Sequence, residues 1–80
     1  MTTNNLAQNL SFFRKRELLG QWEMDELFEL EEGSWELFEM SVIPEPQTLK
    51  AIHERYHVSL EALLYQDLTG ANKISSRVTA

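Results

Sequence analysis

Carboxylates are the most abundant groups in this sequence that could take part in chemistry. Residues 17–49 contain ten Asp and Glu residues and neither Lys nor Arg. Two neighbouring carboxylates can act as general acid and general base. A chain of 80 residues, however, buries one modest core and offers little cleft for such a pair. The sequence also has no Gly-rich phosphate loop and no nucleophile motif. We therefore expect no enzyme and assign no catalytic residue.

Two histidines have the spacing of a metal-binding pair. His53 and His57 are four residues apart, so a helix would place both side chains on one face. A third ligand would have to come from an acid elsewhere in the chain, and histidines near a helix end are more often surface residues. The chain has no Cys, which excludes disulfides and thiolate metal sites. The sequence predicts no metal and no cofactor.

The charge of the chain is unevenly distributed. The ten acids of residues 17–49 lie between flanks that together hold seven bases and three acids, so flanks with a net charge of +4 surround a middle of −10. DNA is densely negative, and a protein that binds it normally places several Lys or Arg near phosphates. The middle segment would repel a duplex. On composition alone, it is typical of a solvated acidic face.

Nothing in the sequence indicates a membrane segment or an export signal. No apolar run approaches the length of about 20 residues that a helix needs to cross a bilayer. The opening residues, "MTTNNLAQN", lack a basic region followed by an apolar run. We expect a soluble, cytoplasmic protein with no membrane partner.

Hydrophobic spacing predicts three helices in the first half of the chain. The first carries Leu6 and Leu10 on one face, and Gly20 is a plausible stop. The second carries Met24, and Ser34 can cap a short third helix. The predicted apolar positions are Leu6, Leu10, Phe13, Met24, Leu27, Phe28, Trp35 and Phe38. An alternative stays open, because "FELEEGSWELF" also alternates around a Glu-Gly turn and is compatible with a β-hairpin.

The second half predicts two further helices. Pro46 suits the first turn of a helix whose apolar face includes Leu49 and Ile52. Ser59 can cap a last helix with an apolar face of Leu60, Leu63 and Leu64. The closing "TGANKISSRVTA" is small, polar and without period, so we interpret residues 69–80 as a flexible polar tail. The predicted fold class is all-α, with five short helices in one domain over residues 1–68.

Both flanks of the chain resemble a known family. "NLAQNLSFFRKR" is similar to the first helix of Cro/C1-type (XRE) helix-turn-helix transcriptional regulators. "PEPQTLKAIHERYHVSLEALLYQDL" is similar to their last two helices, and "VSLEALLYQDL" especially so. The resemblance covers roughly residues 4–68; it is specific at both ends and weak in the middle. It implies a compact five-helix Cro/C1 (lambda repressor-like) helix-turn-helix domain that binds DNA and regulates transcription.

The resemblance also implies roles for individual residues. Gln21 matches the Gln that opens the family's second helix and touches a phosphate, and Trp35 matches the residue of the recognition helix that faces the core. Glu39 matches a Glu that pairs with an Arg of the first helix, here Arg14, so we expect an Arg14–Glu39 ion pair. Such a pair fixes geometry more than it adds stability. The positions that the resemblance places against DNA are Arg14, Lys15, Gln21, Ser34, Glu36, Leu37 and Lys50, with Arg16 and Arg55 as further phosphate contacts.

The middle of the chain departs from the family pattern. Asp25 stands in place of an Ala, and Glu29 in place of the turn Gly, at a position that often needs a positive φ. Leu18 replaces a Gly at the end of the first helix, and "MSVI" follows Glu39 where the family has Gly and then Lys or Arg. Recognition helices read bases mainly with Arg, Lys, Asn, Gln and Ser. Acidic or apolar residues occupy those positions here, namely Glu31, Glu32, Glu36 and Leu37.

Two classes of function follow from this combination. The first is a helix-turn-helix transcriptional regulator with low direct affinity for DNA. The second is a protein-interaction module on the same scaffold that does not bind DNA, such as an antirepressor or DNA mimic. The helix-turn-helix arrangement points Trp22 and Leu37 outward, and exposed apolar side chains in an acidic surface suit a protein partner. This interaction face would consist of Trp22, Glu32, Glu36 and Leu37.

Two further alternatives concern assembly and origin. Proteins of this family often pair through their last helices, so a homodimer through Leu60, Leu64 and Tyr65 is compatible with the sequence. The sequence departs from the family pattern in its middle only, while both flanks follow that pattern. This combination is also compatible with a redesigned variant of the same scaffold.

Overall fold

The structure of the protein is a computed structural model that describes residues 5–70. Its five α-helices are α1 (Leu6–Arg16), α2 (Gln21–Leu27), α3 (Ser34–Glu39), α4 (Pro46–Arg55) and α5 (Leu60–Tyr65). Residues 5–70 contain no strand, so the β-hairpin alternative for residues 28–38 is wrong. Leu and Glu favour helices, and this preference prevails over the alternation. Of the predicted tail, residues 69–80, only Thr69 and Gly70 are among the described residues.

One hydrophobic core lies between the helices. α1 packs against α3 and α5, while α2 packs against α3 and α4 against α5. Because α1 contacts helices from both halves of the chain, it holds the last two helices and the α2–α3 pair in one body. Its inward stripe follows the spacing expected of an amphipathic helix. The buried apolar side chains are Leu6, Leu10, Phe13, Met24, Trp35, Phe38, Leu49, Ile52 and Leu63.

Each of the first four helices ends in a Schellman motif, in which a left-handed residue turns the chain out of the helix. That residue is never Gly: the positions are Leu18, Glu29, Ser41 and His57, with φ values of 62°, 58°, 81° and 58°. The next residue is aliphatic each time and donates its N–H to a carbonyl in the last turn; these residues are Leu19, Leu30, Val42 and Val58. Left-handed backbone costs a residue with a Cβ about 1–2 kcal/mol. The positive φ expected at Glu29 is confirmed.

The starts of α4 and α5 follow the signals in the sequence. Pro46 is the first residue of α4, where its missing N–H removes no hydrogen bond. Ser59 caps α5, and its Oγ accepts a hydrogen bond of 3.0 Å from the N–H of Ala62.

Two expectations about glycines and caps were wrong. Gly20 does not stop α1, because the left-handed position falls at Leu18; Gly20 is instead the N-cap of α2, where its N–H donates to Glu23 over 2.6 Å. Gly33 is the N-cap of α3, and Ser34 is the first residue inside that helix. Gly33 has a φ of 90°, which glycine adopts without steric cost.

A buried Asn joins the first helix to the end of the last one. The Nδ2 atom of Asn9 donates to the carbonyls of Leu63 and Gln66, each over 2.8 Å, and its Oδ1 accepts from the N–H of Leu68 over 3.0 Å. The side chain therefore supplies partners to carbonyls that α5 itself leaves unpaired. Its role was not foreseen, because its partners lie 54 to 59 residues away in sequence.

Candidate functional site

The carboxylate of Glu39 is the hub that fixes α3 to its neighbours. Arg14 donates from Nε to Oε2 over 2.7 Å and from Nη2 to Oε1 over 3.2 Å. Gln21 Nε2 donates to Oε1 over 3.0 Å, and Trp35 Nε1 donates to Oε2 over 2.8 Å. The Arg14–Glu39 ion pair expected from the sequence is therefore present, with side chains only 15% and 10% exposed. The hub links α1, α2 and α3.

The pKa of Glu39 reflects a competition between burial and these partners. Burial raises the pKa of the carboxyl, but the hydrogen bonds from Arg14, Gln21 and Trp35 and the charge of Arg14 outweigh it. The net effect is a pKa below the ordinary value of a Glu. Glu39 is thus held ionised, and its four donors are held in place by the charge.

Arg14 and Gln21, which the resemblance places against phosphates, are directed to Glu39. The remaining Arg14 donor, Nη1, bonds the carbonyl of Leu19 over 3.0 Å. The guanidinium is therefore engaged on three of its nitrogens, inside the contact between α1 and α3. In this arrangement both side chains hold α3 through Glu39.

The carboxylate of Asp25 holds the beginning of α3. Asp25 is 5% exposed; its Oδ2 accepts from the N–H of Gly33 over 2.9 Å, and its Oδ1 accepts from the N–H of Trp35 over 2.7 Å. These N–H groups belong to the start of a helix and have no partner within it. Asp25 therefore performs from α2 the role that an N-cap side chain performs locally. Asp25 therefore has a structural role at a position where the resemblance to Cro/C1-type regulators implies Ala.

The core side of α3 is aromatic. Trp35 is fully buried and stacks on Phe28, with ring centroids 5.3 Å apart and planes 10° apart. Its other neighbour, Phe38, meets it edge-on at 5.8 Å. The inward orientation expected for Trp35 and Phe38 is confirmed by their burial. Phe28 is half-buried against the same cluster.

The opposite side of α2 and α3 is exposed, and we call it the outer face, defined by Trp22, Glu32, Glu36 and Leu37. Trp22 is 62% exposed and Leu37 is 49% exposed, as expected from the sequence. Glu32 and Glu36 are exposed as well, and both line a shallow depression beside Trp22. Ser34, at the start of α3, is half-buried. Two further acids between Trp22 and Glu32 in the sequence, Glu26 and Glu29, are also exposed. Residues 17–49 contain no Lys or Arg to offset these carboxylates.

Within residues 5–70, the exposed cations lie on other helices. Lys15, Arg16, Lys50 and Arg55 are exposed, on α1 and α4. Arg16 lies over the ring of Phe13 at 5.1 Å, and Phe13 stacks on Tyr56 with a centroid distance of 4.2 Å. Arg55 lies over the Tyr56 ring at 5.7 Å. Two of the four cations are thus grouped around an aromatic stack between α1 and α4.

The remaining polar candidates show no arrangement for chemistry. His53 Nδ1 lies 3.1 Å from the carbonyl of Val58, and His57 occupies the left-handed position after α4. Within residues 5–70, no group of three or more His, Asp or Glu is placed to hold a metal ion. In the same part of the chain, no helix combines the length and apolarity that crossing a membrane requires.

Comparison of the chain with models of protein families, with curated proteins and with solved structures finds no match.

Proposed function

We propose that the chain is a Cro/C1-type helix-turn-helix domain that acts in transcriptional control by binding a basic protein surface with its outer face. The observation that carries this proposal is the composition of that face. Trp22 lines one depression with Glu32 and Glu36, Leu37 is exposed on the same helix as Glu36, and Arg14 is turned inward to Glu39. A face of this kind repels DNA and attracts a cationic protein.

Several features support the helix-turn-helix scaffold in this proposal. The chain has five short helices, and α2 and α3 pack against each other and against α1 through Glu39. The turn after α2 is left-handed at Glu29, where the family has Gly. Arg14 and Glu39 pair as the family's Arg and Glu do. These features and the resemblance of the flanks together support a helix-turn-helix scaffold.

The apolar residues of the outer face favour a protein partner. Trp is the residue type that most often contributes a large share of the binding energy at protein interfaces, and Leu37 adds apolar area beside the acids. Carboxylates around such a centre raise association rates with a cationic partner and select against acidic ones. The DNA-contacting surface of another regulator is cationic and fits this description of a partner. We therefore propose an antirepressor activity in the cytoplasm.

A second candidate is weak, direct DNA binding. It is favoured by the exposure of Lys15, Arg16 and Lys50 on α1 and α4, which leaves these cations accessible to phosphates. A homodimer through α5 is a compatible addition to either candidate. Leu60 and Tyr65 are exposed there, and Leu64 is half-buried.

The proposal is tested with a labelled, arginine-rich helical peptide as the probe for a basic protein surface. Fluorescence anisotropy gives its Kd for the protein at physiological salt. Replacing both outer-face acids, Glu32→Gln with Glu36→Gln, should weaken binding about tenfold, because two rim charges are lost. Trp22→Ala should weaken it by at least about tenfold, because Trp22 is the large exposed apolar side chain beside Glu32 and Glu36.

A charge-matched control separates a specific face from general attraction. Glu54 and Glu61 are exposed on α4 and α5. The pair Glu54→Gln with Glu61→Gln changes the net charge by the same amount and should leave the Kd within about twofold. Equal weakening by both pairs would show that the peptide follows net charge alone, and the outer-face proposal would be wrong.

A further inference from the structure

A groove on the other side of α3 has no role in the proposed function. It runs between the α2–α3 turn, the segment after α3 and the first turns of α4, and its volume is ≈ 560 Å³. This is within the size range of sites that accept a ligand or a few side chains. Its apolar lining comes from Phe28, Leu30, Phe38, Val42, Ile43 and Ala51.

The segment "MSVI" gives this groove an exposed apolar edge. Met40, Val42 and Ile43 are all exposed, and Val42 and Ile43 line the groove. The Schellman motif after α3 sets their position, because the N–H of Val42 bonds the carbonyl of Leu37 over 3.0 Å. The family has Gly and a cation here, so this apolar edge is a feature of this chain.

The charged residues along the groove are all acidic. Glu29, Glu31 and Glu45 line it and are exposed, and no Lys or Arg is among its lining residues. Ser34, Gln47 and Thr48 line the groove as well, so its surface is mixed. Six apolar side chains together with three carboxylates complement a peptide that combines aliphatic side chains with Lys or Arg. Aliphatic side chains gain by leaving water, and the cations gain by meeting the carboxylates.

We infer that this α3–α4 groove binds a peptide segment of a partner protein in which aliphatic residues alternate with Lys or Arg. In an extended segment, alternate side chains point to opposite sides, so the aliphatic residues can enter the groove together. The cations then lie outward, and their long side chains reach the carboxylates at the rim. The site is separate from the outer face, because neither Trp22 nor Leu37 lines it.

The test uses a labelled peptide of alternating Lys and Val, titrated with the full chain and followed by fluorescence anisotropy. Saturable binding is expected. Ala51→Arg should weaken it about tenfold or more, because the new side chain fills the floor and repels the probe. Ile43→Ser should weaken it several-fold, because Ile43 is apolar lining on an exposed segment and its loss leaves the core intact. Circular dichroism melts check that both variants fold.

Matched controls distinguish binding in the groove from general attraction of the peptide by the net charge of the protein. Glu61→Gln changes the net charge by the same single unit as Ala51→Arg, on an exposed position of α5, and should change the Kd less than about twofold. A peptide with Ser in place of Val should bind at least about tenfold more weakly. Equal binding of the Val and Ser peptides, or no effect of Ala51→Arg, would overturn the inference.

The outer face serves as an independent reference. Trp22→Ala should leave the Lys-Val peptide bound as in the wild type while it weakens the arginine-rich helix. If the arginine-rich helix fails to bind and the Lys-Val peptide still responds to Ala51→Arg, the proposed function is wrong and the groove stands. If the arginine-rich helix binds and Ala51→Arg does not change the binding of the Lys-Val peptide, the proposed function stands and the groove inference is wrong.

Discussion

On its inner side, α3 presents Trp35 and Glu39 to groups that bond them, and on its outer side it presents Glu36 and Leu37 to solvent. The indole N–H of Trp35 and both oxygens of Glu39 have protein partners. The start of α3 is likewise bonded by Asp25. Leu37, by contrast, is about half exposed beside acids that the surrounding sequence does not balance.

This difference shows how the two sides of one short helix can be shaped by separate demands. The inner side holds α3 in a fixed position with the largely buried Arg14–Glu39 ion pair, and such a pair favours a specific geometry. In the proposed function, the outer side carries the residues that contact the partner. Arg14 is directed to Glu39 on the inner side. The predictions below alter one side at a time.

The largest effect is expected from Glu39→Gln on the inner side. The substitution removes the charge that compensates Arg14, which is only 15% exposed. Leaving such a guanidinium unpaired costs about 3 kcal/mol or more. Urea denaturation should report this loss of unfolding free energy. Glu17→Gln, which breaks the exposed 3.5 Å pair with Arg55, is the control and should cost less than about 1 kcal/mol. Similar losses in both variants would contradict the special role of Glu39.

The pH dependence of stability should carry the signature of the same carboxylate. The pKa of Glu39 is lower in the folded chain than the ordinary value of 4.5. Its contribution is therefore fully present above that ordinary value and is lost as the pH falls through the folded-state pKa. The difference in unfolding free energy between the wild type and Glu39→Gln should shrink in that acidic range. A difference that grows on acidification would contradict the lowered pKa.

The next largest effect is expected from Asp25→Ala, which introduces the residue type that the resemblance implies at this position. Ala favours helices more than Asp does. The substitution nevertheless leaves the N–H groups of Gly33 and Trp35 without their partner, and such a loss costs about 2 kcal/mol. Asp25→Asn keeps one carbonyl acceptor and should cost less. A neutral or stabilising Asp25→Ala would show that the inner side of α3 does not depend on this cap.

Substitution of Glu29 by Gly, in the turn between α2 and α3, is expected to increase the free energy of unfolding. Glu29 is exposed with a φ of 58°, and Glu29→Gly should stabilise the protein by about 1 kcal/mol because Gly tolerates the left-handed backbone. Glu29→Ala removes the same charge and keeps the strain, so thermal melts of both variants separate charge from backbone. Leu18→Gly, at the 89% exposed left-handed position after α1, removes no charge and should give a similar gain. A gain with Glu29→Ala equal to that with Glu29→Gly would assign the effect to charge.

The smallest effects on stability are expected on the outer side. Glu36→Gln and Leu37→Ala alter exposed residues, and each should change the unfolding free energy by no more than about 0.5 kcal/mol. Denaturation curves that match the wild type would show that this face is free to serve binding. A loss of about 2 kcal/mol in either variant would mean that the outer side also supports the fold, and the comparison would fail.

The sequence predicts the helices and the buried apolar residues of this protein better than it predicts the polar contacts between helices. Periodicity and caps are local signals, so Pro46 and Ser59 were identified, and apolar spacing indicated the burial of Trp35. The exposure of Trp22 was expected from the helix-turn-helix arrangement that the resemblance implies. Ser34 was misplaced by one position because Gly33 adopts the left-handed cap conformation itself.

The contacts that hold α3 were harder to foresee. The Arg14–Glu39 pair came from the family resemblance, since 25 residues separate its partners. Asp25 was interpreted only as a departure, because its carboxylate reaches N–H groups 8 and 10 residues away across a turn. The identity of a partner depends on a second molecule, so the residues of the outer face indicate its chemistry and no more.

We propose that the scaffold supports α3 while the outer face does not accept DNA. The most direct test is fluorescence anisotropy of a labelled mixed-sequence duplex titrated with the full chain at low salt, where electrostatic affinity is greatest. The account predicts no saturable binding of the duplex under conditions in which the arginine-rich helical peptide binds. Duplex binding that weakens steeply with added salt and is lost on Lys15→Gln with Arg16→Gln would contradict it, and the DNA-binding candidate would take its place.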